Sequence, residues 1–323
     1  MAFALFIAVM ASLSLFAWYI TRKEKRSFNS WLSEKLLQLR LTKGWFNSHV
    51  NPDQFLDSRS LVNEQPYVMP PPLKFLGIIE RKRIADMDCI LLSERSGTTR
   101  LRILYLHGGA YVEQPILPHW LFLDRINNQS NAVITVPLYP KAPVHTVGET
   151  FPKITELYAS MVARTRGEDV VIMGDSAGGG LALALAQQIA LLGLPRPKAV
   201  IMISPWLDLS LRNASIDRLE SKDPMLSRRF LQLMGKAWAG STDLSDWRVS
   251  PINGPFENLP PLTLFVGTHE IFLADARKLV MLCTRKGVRI NYHEYPKMNH
   301  DFPLFPIKEA REAQREIVRV IKS

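Results

Sequence analysis

Residues 169–190 read DVVIMGDSAGGGLALALAQQIA, and the reading of this stretch decides the fold. DVVIM is a continuous apolar run of strand length, and GGLALALAQQIA is a small-residue run of helical length. Between them lies Gly174-Asp175-Ser176-Ala177-Gly178, a G-x-S-x-G sequence in the strand–turn–helix setting that gives the pattern its meaning. A serine on so sharp a turn projects its hydroxyl above the sheet. Only small residues clear the neighbouring backbone on either side of it. The helix that follows points free N–H groups and a positive dipole end at the serine.

Outward from this turn, other apolar runs alternate with helical patterns. Strand-like runs are FLGII (75–79), CILLS (89–93), RILYL (102–106), AVITVPL (132–138), AVIMIS (199–204), LTLFV (262–266) and RINYHEY (289–295). Helical stretches fall at roughly 118–129, 147–164, 272–286 and 306–322. Val/Ile/Leu runs separated by helices predict an α/β fold: an eight-stranded, mostly parallel sheet with helices on both faces. The first two strands are joined too closely for a helical crossover and are predicted antiparallel. Residues 207–250 make a longer connection with a helical signal of its own near 226–238, expected to be a helical lid.

Two further segments complete a chemistry. Leu106-His107-Gly108-Gly109-Ala110-Tyr111 follows the strand RILYL directly. Acyl transfer passes through a tetrahedral oxyanion, and backbone N–H groups reach it best where no side chain blocks approach. The expected donors are the N–H groups of Gly108, Gly109 and Ala177, with His107 ordering the loop. After the last strand, Tyr295-Pro296-Lys297-Met298-Asn299-His300 places His300 where it can serve as general base toward Ser176. Glu270, in Gly267-Thr268-His269-Glu270 at another strand end, is the expected acid, ahead of Asp208, Asp275 and Asp301. Asp301 is expected to point away from the adjacent ring, and His119 has no context to recommend it. Tyr111, Trp120 and Trp206 are candidate walls of a substrate pocket, each also readable as plain core.

These motifs together resemble the hormone-sensitive-lipase-like group of α/β-hydrolases, the bacterial esterase and acetyl-hydrolase branch, over about residues 70–323. His107-Gly108-Gly109-Ala110 resembles its oxyanion motif, Tyr139-Pro140-Lys141-Ala142-Pro143 its YPxAP turn and Gly174–Gly179 its nucleophile motif. Asp223-Pro224-Met225-Leu226-Ser227 resembles a lid segment of that group. Ala110 replaces a usual third glycine, and Glu270 a commoner aspartate. The resemblance implies the α/β-hydrolase fold, a serine carboxylesterase or lipase-like enzyme of EC 3.1.1 type, a lid built from the N-terminal segment and 207–250, and no cofactor or metal. The expected substrate is a small lipophilic ester of short or medium acyl chain. Rival readings are an amidase or deacetylase of the same fold, or a non-catalytic ligand receptor.

Composition frames the rest. The 323 residues carry a net charge of +10, and only Cys89 and Cys283 occur, too few for a disulfide framework or a tetrahedral zinc site. Half of the excess charge lies in residues 22–43, where Arg22, Lys23, Lys25, Arg26, Lys35, Arg40 and Lys43 face only Glu24 and Glu34. With no nucleic-acid motif present, that cluster suits an anionic membrane better than nucleic acid. Residues 2–20 hold no charge and as a helix would span roughly 28 Å, a bilayer's hydrocarbon thickness. The expected division is therefore a membrane-anchor helix over 1–20, a basic juxtamembrane and lid segment over 21–72 and a catalytic domain over 73–323. The basic flank predicts a cytoplasmic body, with export after signal cleavage as the alternative.

Overall fold

The computed structural model describes residues 2–39, 51–70, 75–93 and 99–323. Arg40, Lys43, Pro71 and Pro72, on which part of the expected basic segment and the boundary at 72 rest, lie outside the described residues. In chain order the elements are α1 (Ala2–Glu24), α2 (Phe28–Leu39), α3 (Pro52–Glu64), β1 (Ile78–Ile84), β2 (Met87–Ser93), β3 (Arg102–Leu106), α4 (Leu117–Ser130) and β4 (Val133–Pro137). Then follow α5 (Val147–Val162), β5 (Val170–Asp175), α6 (Ser176–Leu192), β6 (Ala199–Ile203), α7 (Ile216–Glu220), α8 (Arg228–Ala239), β7 (Leu262–His269), α9 (Leu273–Lys286), β8 (Ile290–Asn299) and α10 (Lys308–Lys322).

The eight strands form one sheet in the order β1-β2-β4-β3-β5-β6-β7-β8. All neighbours from β4 to β8 pair in parallel, whereas β1 with β2 and β2 with β4 run antiparallel. Strand alternation divides the core in two. Leu104, Leu106, Ile172, Val200 and Leu264 point to one face, where α5, α6, α8 and α9 pack. Ile103, Tyr105, Val171, Met173 and Ile201 point to the other, where α4 and α10 pack. On α10 the buried residues Ala310, Ala313, Gln314, Ile317 and Ile321 recur at the helical period, so a helix rich in charge still offers one apolar stripe. Each fully buried Leu or Ile contributes about 1.5–3 kcal/mol, which makes the double-sided sheet the main source of stability.

The first strand lies three residues later than FLGII suggests. β1 is IIERKRI, largely exposed because it is an edge strand with β2 as its one strand partner, so it shows no apolar run. Loops after β3, β5, β6, β7 and β8 all open at the sheet's carboxyl edge, where ligands of open parallel sheets gather. The strand order changes direction at β3 and β5, and both motif loops leave from there.

The N-terminal expectation fails. Among the described residues no helix is long and apolar enough to cross a membrane, which overturns the anchor, the membrane partner and the membrane-anchored cytoplasmic placement. The end of α1 is charged and fastened to the body instead. Its last turn holds Arg22 and Lys23. Ile20 is buried, Phe16 packs edge-on against Phe28 and Trp31 of α2, and Glu24 pairs with Lys297 at 2.9 Å.

Helix α2 is likewise held by the body. The buried Arg26 pairs with Glu34 and donates to the Lys297 carbonyl at 2.7 Å, while Glu34 also meets His269 Nδ1 at 2.6 Å. Ser27 bonds Glu309 of α10 through both its N–H, at 2.6 Å, and its hydroxyl, at 2.7 Å. Helix α3 packs on α8 through Phe55 and Phe230, ring centroids 4.9 Å apart, so the N-terminal segment and the 207–250 insertion meet over the carboxyl edge.

Candidate active site

Ser176 is the first residue of α6 and has φ +51°, the left-handed region that L-residues other than Asn and Asp avoid. The turn can be so tight because Gly178 has no side chain. A Cβ there would stand 1.9 Å from the Leu106 carbonyl oxygen, a backbone atom that cannot move aside. The elbow is therefore pressed directly onto the end of β3, and the oxyanion-loop sequence begins at the point of contact.

Glu270 and His300 arrive from the carboxyl ends of β7 and β8. His300 Nε2 lies 2.9 Å from Ser176 Oγ, and His300 Nδ1 lies 2.9 Å from Glu270 Oε2. The other oxygen of Glu270 accepts from Ser204 Oγ at 2.8 Å and from the Gly267 N–H at 2.7 Å, so the carboxylate has one orientation open to it. Phe272 meets the His300 ring edge-on, centroids 5.2 Å apart. Asp223, in the lid segment, accepts from the N–H groups of Met225, Leu226 and Ile271, which ties the lid to the loop carrying Glu270. Burial pushes the Asp223 carboxyl up to about 6.

Behind Ser176, Asp175 is a fully buried carboxylate with three donors: the Tyr105 hydroxyl, the Gly108 N–H at 3.0 Å and His119 Nε2 at 3.1 Å. His119 Nδ1 accepts from the Ile116 N–H at 3.0 Å, which leaves the proton on Nε2 to face Asp175. Burial alone would raise the Asp175 carboxyl. His119, and after it Tyr105, reverse that and hold it below the usual carboxylate range.

This arrangement redirects one sequence expectation. Gly108 sits in the oxyanion loop, but its N–H is spent on Asp175, which removes it from the expected donors. The chain then turns through three left-handed residues, Gly109 (φ +107°), Ala110 (φ +52°) and Tyr111 (φ +64°). His107 orders this loop: its Nδ1 donates to the Gly108 carbonyl at 2.7 Å, its ring stacks on Tyr139 at 4.4 Å, and Tyr139 donates to the His107 carbonyl at 2.7 Å. Burial drives the His107 ring well below the ordinary histidine range, so it stays neutral.

A cavity of about 140 Å³ opens onto Ser176 and His300, walled by Ile116, Met225, Leu226, Leu231, Leu304 and Phe305, with Glu113, Gln114 and Asp301 as polar members. Arg59 of α3 reaches Glu113 at 2.9 Å, so the N-terminal segment closes one side. The three aromatic candidates are not among its walls. Tyr111 stacks on Trp238 at 4.4 Å, Trp206 stacks on Phe272 at 5.8 Å and donates to the Asp208 carbonyl, and Trp120 lies on the other side of the sheet, donating to Tyr67. All three are buried core.

Sequence reasoning missed His119 and Asp301. The ring of His119 serves a carboxylate 56 residues away, which no local pattern announces. Asp301 has φ +53°, and this left-handed turn swings its carboxylate back to 3.1 Å from His300 Nε2.

Similarity to other proteins agrees with this geometry. Residues 103–304 match the family model of the α/β hydrolase fold. The chain is 29% identical over 238 residues to a triacylglycerol lipase of Mycobacterium tuberculosis, covering 73% of this chain and about half the length of that relative. It is 27% identical over 267 residues to an esterase of Acinetobacter venetianus, covering 81% of this chain and 85% of that one. The crystal structure of an esterase/lipase from an uncultured bacterium superposes with a TM-score of 0.76 at 27% identity, over 90% of this chain and 94% of that chain.

Proposed function

The chain belongs to the α/β-hydrolase fold family, as its sequence resemblance implied, and from that premise we propose that it is a serine carboxylic ester hydrolase working through an acyl-enzyme. The observation that carries this reading is the unbroken relay from Ser176 Oγ to His300 Nε2, and from His300 Nδ1 to Glu270, at 2.9 Å for each step. His300 takes the hydroxyl proton as Ser176 Oγ bonds to the ester carbonyl carbon. The imidazolium formed is stabilised by Glu270, and its proton then goes to the departing alkoxide. Water repeats the sequence on the acyl-enzyme, with His300 again as base.

The tetrahedral oxyanion is held by the N–H groups of Gly109 and Ala177, the members of the expected donor set not bonded to Asp175. The Asp175–Gly108 bond keeps this loop in position before substrate arrives. The substrate is a lipophilic ester, because the cavity walls nearest Ser176 are aliphatic and aromatic. At about 140 Å³ the cavity is close to what encloses a benzene ring, which favours the short end of a short- to medium-chain acyl range.

Hydrolysis of a p-nitrophenyl ester series from acetate to palmitate tests the reading. Turnover should peak at short acyl chains and vanish in Ser176→Ala. A folded protein that cleaves none of the esters, or whose Ser176→Ala variant keeps its turnover, would defeat it. Matched acetyl amides then separate the amidase reading from the receptor.

A further inference from the structure

The catalytic histidine proposed above has two carboxylates around it where its relay needs one. Glu270 lies at Nδ1, and Asp301 Oδ2 lies 3.1 Å from Nε2, the nitrogen that must accept the serine proton. The hydrogen bond of Nε2 goes to Ser176 Oγ at 2.9 Å, so Asp301 is an ionic neighbour beside the relay and not a substitute for the serine. Its position is built. The left-handed backbone at Asp301 turns the side chain back, and the Asp301 N–H donates at 3.1 Å to Ser204 Oγ, the same hydroxyl that holds Glu270. Asp301 Oδ1 is buried and has no hydrogen-bond partner among the described residues, so none of them supplies a structural donor for this oxygen to satisfy.

We propose that Asp301 is a positioning residue of the ester hydrolase, a countercharge that sets the proton affinity of His300 and thereby the pH at which the enzyme switches on. This rests on the reading of Ser176, His300 and Glu270 as the working triad. A carboxylate at this distance favours the protonated ring over the neutral base. It stabilises the imidazolium formed when Ser176 attacks, and it also keeps the resting ring charged to higher pH.

The groups facing this pair are known on every side. Glu270 follows β7, Asp223 comes from the lid segment, Asp175 ends β5, His119 comes from α4 and Tyr105 from β3. Burial alone would push the His300 ring down, but Asp301 first and Glu270 second overcome it, and the ring is held well above the ordinary histidine value. Burial and the nearby Asp175 push Asp301 itself up, against the pull of His300. His300 must be neutral to act as base, so activity rises with pH through its raised value, and removal of the Asp301 charge moves that rise toward acid.

The test is the pH profile of kcat/KM for p-nitrophenyl acetate in the full chain, its Asp301→Asn variant and its Asp301→Gly variant. Both replacements accept the left-handed backbone. The acid limb is expected to move down by about one pH unit or more in each. A limb that stays in place overturns the inference. Independently of any turnover, the Hε1 proton resonance of His300, assigned by its loss in His300→Gln, should titrate above about 6.5 in the unmodified chain. Titration at or below that value overturns the inference even if both Asp301 variants fail to fold. Ser176→Ala in the same assay keeps the two readings apart. Turnover close to that of the unmodified chain there would defeat the hydrolase mechanism, whereas an unmoved limb in the Asp301 variants defeats the countercharge alone.

Discussion

The two flanks of Ser176 use buried carboxylates in opposite ways. On the β3–β5 flank, Asp175 is saturated by Tyr105, Gly108 and His119, and nothing on it remains to react. On the β7–β8 flank, Glu270 is also saturated, but Asp301 presents one oxygen to His300 and leaves the other without a hydrogen-bond partner among the described residues. A fully bonded buried carboxylate holds backbone in place, and removing it costs stability. A partly bonded one leaves its field free to act on a neighbour's proton. The first flank is expected to fail by loosening, the second by mistiming its protonation.

Substitutions can break or sharpen this contrast. Ser176→Ala should have the largest effect, a fall in kcat on the order of 10⁴-fold or more, with unchanged melting, since among the described residues the hydroxyl bonds only His300. Glu270→Gln should lower kcat on the order of 10³–10⁴-fold, because the ring then loses its tautomer and its countercharge at Nδ1. If Glu270→Gln cost less than Asp301→Asn at the alkaline plateau, the assignment of the two carboxylates would have to be exchanged.

Asp175→Ala, by contrast, strands three buried donors and should lower stability by about 3–5 kcal/mol in denaturant titration. Asp301→Asn should cost clearly less in the same titration, because no hydrogen-bond donor among the described residues is orphaned. Equal losses at the two positions would erase the contrast.

The smallest effect is expected from His119→Gln, and it depends on pH. Burial alone would lower the His119 ring, but Asp175 raises it above the ordinary histidine value. A raised folded value means stabilisation that is complete below the unfolded value and lost as pH climbs through the folded one. The variant should therefore lose more stability at pH 5.5 than at pH 8.5 in denaturant titration. A pH-independent loss would mean that His119 acts through packing and not through its charge.

The parts of this site that could be read from the sequence were those encoded locally. The elbow around Ser176 and the glycines of the oxyanion loop sit on short contiguous motifs, because tight turns dictate residue types over a few positions. All eight strands of the sheet could be read too, the exposed edge strand β1 with its boundary displaced. The rest depended on orientation. Tyr111, Trp120 and Trp206 have the size expected of pocket walls, but which way a large ring faces is decided by its turn and its neighbours. Gly108 lies where the motif predicts, yet its N–H is taken by a carboxylate 67 residues away. The apolar run at residues 2–20 was misjudged because its charged last turn and its contacts with α2, visible only in the fold, decide its role.

The N-terminal clasp has a consequence for how the protein comes into being. Arg26 and Glu34 are made early, but the groups that complete them, His269, the Lys297 carbonyl and Glu309 beside Ser27, lie 235 to 282 residues further on. During synthesis Arg26 and Glu34 have only each other and Glu24 until His269 and Lys297 have followed them out of the ribosome. The strand end that bears His300 is then fastened by residues made long before it. A growing chain thus carries Ser176 well before the segment that bears His300 is braced, and the contact between the two waits on that segment.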